Sequence, residues 1–191
     1  MTTPTDSGAT DADRLFVIGS REGFTPRVGT LVAQLQVTRH YLQQATRELG
    51  TDALDAKPGT APNTIGAILR HLNAAERMFQ VMTLEDRGFD EAEKARWWPD
   101  FTFERAAEPR GIGIAPLHAA LAETRALTLA GMRRRDDDWL DQPKTFFGRP
   151  ANVHYYWTHF LLDEARHTGQ VILARKHLIP SADPEFMPYF A

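Results

Sequence analysis

The sequence predicts an all-α fold, a four-helix bundle, and three observations support that expectation. Four segments repeat apolar residues at three- and four-residue steps, the spacing of one helix face. Proline and glycine cluster in the stretches between those segments, as at Pro58, Gly59 and Pro62 and at Pro143, Gly148 and Pro150. No segment sustains the period-two alternation with β-branched residues that a half-buried strand needs, so a sheet is not expected. With 191 residues, 42% of them hydrophobic and 25% charged, the chain has ordinary globular composition and enough length for one buried core.

Residues 1–13 are polar and acidic with almost nothing apolar, and are expected to form a loose tail before a single domain over 14–191. After Pro26, the stripe Val28, Leu31, Val32, Leu35, Leu42 and Ala45 predicts a first helix ending before Gly50. Pro58, Gly59 and Pro62 interrupt the chain. Ile65, Ile68, Leu69, Leu72, Phe79 and Met82 then predict a second helix, with Asn63 or Thr64 as its N-cap. Between Leu84 and Ala115 the pattern fades into charged and aromatic residues, among them Trp97, Trp98, Phe101 and Phe103. A connection of that length is usually functional or partly structured. Pro116 suits a first helical turn, and Leu117, Ala120, Leu121, Thr124 and Leu127 predict a third helix ending near Arg133–Asp138. A loop over 142–151 precedes a fourth helix from about Asn152 to Leu178, which Pro180 stops. The length of the connections allows a crossover topology.

Composition narrows the function. There are no cysteines, so neither a disulfide framework nor a thiolate zinc site can form, in keeping with a reducing, cytoplasmic setting. The first residues lack the apolar core of a signal peptide, and no run approaches the roughly 18 apolar residues of a membrane span. A net charge of -3 argues against a nucleic-acid partner. Arg133–Arg135 is followed directly by Asp136–Asp138 and reads as a solvated helix end.

The fourth helix carries a polar stripe within its apolar face. Tyr156, Phe160, Val171 and Ala174 share that face with Asp163 and His167. Four residues advance a helix by about 400°, so Asp163 and His167 lie one above the other and can grip one ion, and His159 extends the row by another turn. Two readings are open: a hydrogen-bonded Asp–His pair, or a divalent metal that takes a third ligand from another helix. His71, at the margin of the second apolar stripe, is the best candidate for that ligand. His40 and His118 fall at expected surface positions, His177 sits in a last turn where a cation suits the helix dipole, and His154 is given no role.

Thr64–Phe79, which contains His71, followed far downstream by His159–Gln170, resembles the DinB/YfiT-like superfamily in order and separation of motifs. The resemblance runs from about Val28 to Leu178. It implies an up-down-down-up four-helix bundle, often a homodimer, with a divalent metal held by three histidines at one end. His71 matches the helix-two ligand and His167 the final one. The remaining histidine is replaced here by Asp163, giving a site of two imidazoles and one carboxylate that suits zinc, nickel or manganese. His159 is an alternate third ligand, or a hydrogen-bond partner to a ligand.

Three protein ligands leave a coordination position open, as catalytic sites do. Characterised members of the superfamily are thiol-dependent transferases or isomerases using bacillithiol, mycothiol or glutathione. The resemblance therefore implies a metal-dependent transferase that brings a low-molecular-weight thiol to small electrophiles. The alternatives are a metal-dependent hydrolase with Glu164 or Glu76 as base, and a non-catalytic, stress-associated metal-binding dimer. A deep, partly apolar pocket beside the metal favours an enzyme, and the aromatic segment 97–103 either walls that pocket or packs across the bundle end or a dimer face.

Overall fold

A computed structural model of the chain describes residues 14–59, 61–104, 108 and 110–179. The expected tail over 1–13 lies outside them. The elements are α1 (Pro26–Thr46), α2 (Thr51–Asp55), α3 (Ile65–Thr83), α4 (Glu91–Phe101), α5 (Ile114–Met132), a 3-10 turn (Asp137–Asp141), β1 (Pro143–Phe146), β2 (Arg149–Asn152) and α6 (Val153–Leu178). The four expected helices are α1, α3, α5 and α6. Their starts follow local chemistry: Pro26 opens α1, the Thr64 hydroxyl accepts from the Ala67 amide, and the Asn152 side chain accepts from the Tyr155 amide. Among the described residues no helix is long and apolar enough to cross a membrane.

Side-chain contacts show how the helices run. Arg39 meets Glu164 and Arg175 reaches the Ala45 carbonyl, so α1 and α6 are parallel neighbours. Gln80 meets Thr128, and Leu84 lies against Gly131, while Leu69 and Leu117 share a cluster at the other end, so α3 and α5 are also parallel. His71 opposite Asp163 and Trp157 opposite Thr83 make α3 and α6 antiparallel. This is the up-down-down-up order. Parallel neighbours adjacent in sequence need a crossover, and the chain from Leu84 to Gly113 supplies it.

The stretch from Leu84 onward is partly structured, as its length suggested: Asp90 accepts from the Glu93 amide and Glu93 accepts from the Asp90 amide, a reciprocal capping box that starts α4. Two expectations about the connections are corrected. The loop over 142–151 is a β-hairpin, antiparallel with Pro143 opposite Asn152 and Phe146 opposite Arg149. Its strands are only four residues long, too short to show a period-two signal. Nor is the Arg/Asp run merely solvated. Asp137 accepts from the Arg27 and Val28 amides and so caps α1 across the chain, and Arg135 donates to the Leu84 carbonyl.

The core has two apolar clusters. One gathers Val28, Leu35, Val81, Met132, Trp157 and Phe160, the other Leu42, Leu54, Ile65, Leu72, Leu121 and Val171. Between them each long helix contributes one buried charge. Arg39 of α1 donates to Glu164 of α6 at 2.6 Å and to Glu76 of α3 at 2.8 Å, and Arg125 of α5 donates to Glu76 at 2.6 Å. Arg125 also lies 3.5 Å from Glu164. One further hydrogen of each guanidinium goes to a backbone carbonyl, that of Arg39 to Leu121 and that of Arg125 to Leu35, while Thr128 and Thr38 donate to Glu76 and Glu164. Burial pushes the Glu76 carboxyl up, but Arg125 and Arg39 outweigh it and hold the group below its ordinary 4.5.

Removing one member strands the others without water. Glu76→Gln should cost about 3–5 kcal/mol in urea or thermal unfolding. Because the folded value of Glu76 is depressed, its contribution is complete above about pH 4.5 and disappears as the pH falls through the folded value. The wild type should lose stability across that acid range, and Glu76→Gln should show a shallower loss.

Candidate metal centre

The antiparallel pairing of α3 and α6 brings together the residues expected at the site. His71 is buried, while Asp163 and His167 are half-buried, one turn apart on α6. The His71 Nε2 lies 3.3 Å from Asp163 Oδ2, and the His167 Nε2 lies 3.6 Å from Asp163 Oδ1. One potential ligand atom from each residue falls within 4.8 Å of the others.

The far side of each imidazole is tied down. His71 Nδ1 is 2.8 Å from the Phe101 carbonyl oxygen, and His167 Nδ1 is 2.8 Å from the Gln170 side-chain oxygen. Both partners can only accept, so each Nδ1 carries the hydrogen and each Nε2 is turned toward Asp163. Burial pushes His167 below its ordinary 6.5, although the Asp163 charge opposes this. Burial also pushes Asp163 up, but protonated imidazoles overcome it, through the hydrogen bond from His71 and the charges of His167, His71 and His159, and keep the carboxyl below 3.8. The carboxylate thus draws positive charge to this point: with both Nε2 atoms unprotonated, their lone pairs face it across 3.3–3.6 Å, and a cation between them takes the place of those protons. A divalent cation meets that requirement, and the donor set of two borderline nitrogens and one hard oxygen fits it chemically. Phe103 stacks on the His71 ring at 4.2 Å and lies 5.7 Å from that of His167; its φ of 59° is a left-handed conformation rare for a bulky residue.

Next to the cluster opens a cavity of about 640 Å³. His71, His159 and Asp163 form one part of its lining, and Phe79, Trp98 and Phe101 are among its aromatic walls. The 97–103 segment thus divides: Trp98 and Phe101 wall the cavity, while Trp97 lines a separate depression with Arg70 and Asp100. His159 is not part of the three-residue cluster. Its ring lies 4.7 Å from Phe146 and 6.1 Å from Phe79, and burial holds it below its ordinary 6.5.

Other sequence readings change. Glu164 does not flank an open site, since it is fully buried and, like Glu76, committed to Arg39 and Arg125. His118 is not a free surface group, because its Nε2 is 2.7 Å from the Thr46 hydroxyl and burial lowers its ordinary value. His40 is half-buried, edge-on to Phe16. His177 is exposed in the last turn of α6, as expected. Gln170, the partner that orients His167, was quoted within the downstream motif but given no role; its i+3 spacing from His167 is the signal that points to it.

No curated protein matches the chain. The family model described as mycothiol-S-transferase matches residues 30–179, from the first turns of α1 to the residue after α6. The chain therefore belongs to the mycothiol-S-transferase family, within the DinB/YfiT-like superfamily.

Proposed function

We propose that this protein transfers a low-molecular-weight thiol to small electrophiles at a divalent metal held by His71, Asp163 and His167. The observation that carries the reading is the pair of imidazoles whose Nδ1 hydrogens are anchored and whose Nε2 atoms converge on one carboxylate, at the edge of an apolar cavity. The family points to the thiol chemistry. The absence of cysteine means that the sulfur arrives with the cosubstrate.

When bound, the cation supplies a Lewis acid that lowers the pKa of a thiol and favours the thiolate, the nucleophilic form. The chain's own residues do the rest. The Phe101 carbonyl and Gln170 hold the rings in the tautomer that presents Nε2. Asp163 contributes the negative charge that balances the cation. The cavity walls hold the electrophile and exclude water that would compete as a nucleophile. Sulfur forms a bond to the electrophilic carbon, the leaving group departs with its electron pair, or for an addition the pair stays on the substrate, and the thiol proton passes to solvent. A hydrolase reading loses its bases, since Glu76 and Glu164 are both held in buried ion pairs.

Elemental mass spectrometry of the purified protein should find near-stoichiometric zinc, nickel or manganese, lost in both His71→Ala and His167→Ala. Gln170→Ala should retain the ligands but lower metal affinity by about 10–100-fold, measured by competition with a chelator. Metal-loaded protein should conjugate an electrophile with at least one of mycothiol, bacillithiol and glutathione. Inactivity with all three would refute the transfer reading.

A further inference from the structure

The cavity beside the three-residue cluster carries information about the electrophile, and the inference drawn from it rests on the thiol-transfer reading for its catalytic half alone. Two polar groups on the cavity wall are already engaged. The Tyr156 hydroxyl donates to the Thr145 carbonyl at 2.6 Å, and the Lys94 ammonium is paired with Glu91 at 2.7 Å. What remains toward the cavity away from the cluster is chiefly aromatic and thioether surface, from Phe79, Phe101, Trp98, Phe146, Met78 and Met82, with the His159 imidazole as the polar exception. A guest rich in hydrogen-bonding groups would give up water there and recover few of its hydrogen bonds. A planar aromatic guest would gain offset and edge contacts from the rings and from methionine sulfur.

The hairpin adds a second, independent observation. The two residues between β1 and β2 are Phe147 and Gly148, with φ of 48° and 75°. A turn with two positive φ values favours Asn-Gly, because asparagine tolerates the left-handed region and a large ring does not. Here a phenylalanine takes the first position and remains 90% exposed at the edge of the cavity, 4.7 Å from the Phe146 ring. The ring costs backbone strain and gains little contact within the chain. A strained, solvent-exposed aromatic at a cavity mouth points to a ligand that covers it.

We infer that the electrophile is an uncharged planar aromatic molecule, seated between the Phe146–Phe147 hairpin tip and the Trp98–Phe101 wall with its reactive carbon toward Asp163 and His71. Phe147 is then a specificity residue for the aromatic substrate. With 1-chloro-2,4-dinitrobenzene as substrate, the thiol gives its proton to buffer and its sulfur bonds to the ring carbon. The carbon–chlorine bond breaks and chloride leaves with the electron pair.

Binding can be tested without thiol or metal turnover. The unreactive 2,4-dinitrotoluene should bind the full-length protein, read by tryptophan quenching and by calorimetry, whereas methyl glucoside should not compete. Phe147→Asn supplies the residue that the turn prefers, so its melting temperature should equal or exceed that of the wild type while the affinity for dinitrotoluene falls about five- to tenfold. Gly88 is exposed at the cavity edge, and a Cβ added there meets nothing within 4 Å, so a larger side chain starts from open space. Gly88→Trp should therefore keep the fold and weaken binding at least as much. The same variants should raise KM for 1-chloro-2,4-dinitrobenzene more than they change kcat. No binding by the wild type, equal binding by both variants, or equal competition by methyl glucoside would overturn the inference. Binding that follows the expected pattern with no conjugation by any thiol would leave the aromatic site standing and overturn only the transfer reading.

Discussion

Arg39, Glu76, Arg125 and Glu164 meet at the centre of the bundle, one from each long helix, and their mutual neutralisation fixes where everything else lies. Two cations and two anions buried together have little to gain over well-packed hydrophobic residues in raw stability. What they impose is register. Sliding any of the four helices by a turn would leave a buried charge facing carbon, at a cost the two apolar clusters cannot repay. Glu164 directly follows Asp163 on α6, and Glu76 lies little more than a turn beyond His71 on α3. The same contacts that lock the helices therefore bring His71 opposite Asp163.

The site occupies a boundary. On one side is the satisfied ionic centre, where every charge has a partner; on the other is a cavity with few hydrogen-bonding groups left open. Two imidazoles and a carboxylate lie between these regions, and in the proposed reading they are what holds the cation. Low surrounding polarity strengthens any charge placed among them, and the anchoring of both rings from behind means little reorganisation when it arrives.

The long helices were legible in the sequence because their stripes repeat over many turns, and Asp163 and His167 because four-residue spacing on a helix is unambiguous. His71 was reached through its motif and its place at the margin of a stripe, which periodicity alone could not have linked to α6. The elements that were missed are short or depend on partners far along the chain. The capping box at Asp90 and Glu93 was readable in principle but stood in a stretch dominated by charges and aromatics. The hairpin strands are too brief for a pattern. Arg39 and Arg125 look like ordinary surface charges in one dimension, and only the meeting of four helices shows that each faces a glutamate.

The crossover helix α4 differs from the helices it serves. It has no fully buried residue, and Pro99 interrupts its hydrogen-bonding near the C-terminal end. Such a segment belongs among the parts of a protein that open most readily, well before the bundle itself. Yet Phe101, its last residue, both walls the cavity and holds the His71 ring through its carbonyl. Admission of a guest and the orientation of an imidazole are thereby geared to the same few residues: a fluctuation that lifts the end of α4 widens the entrance and releases His71 Nδ1 in a single movement.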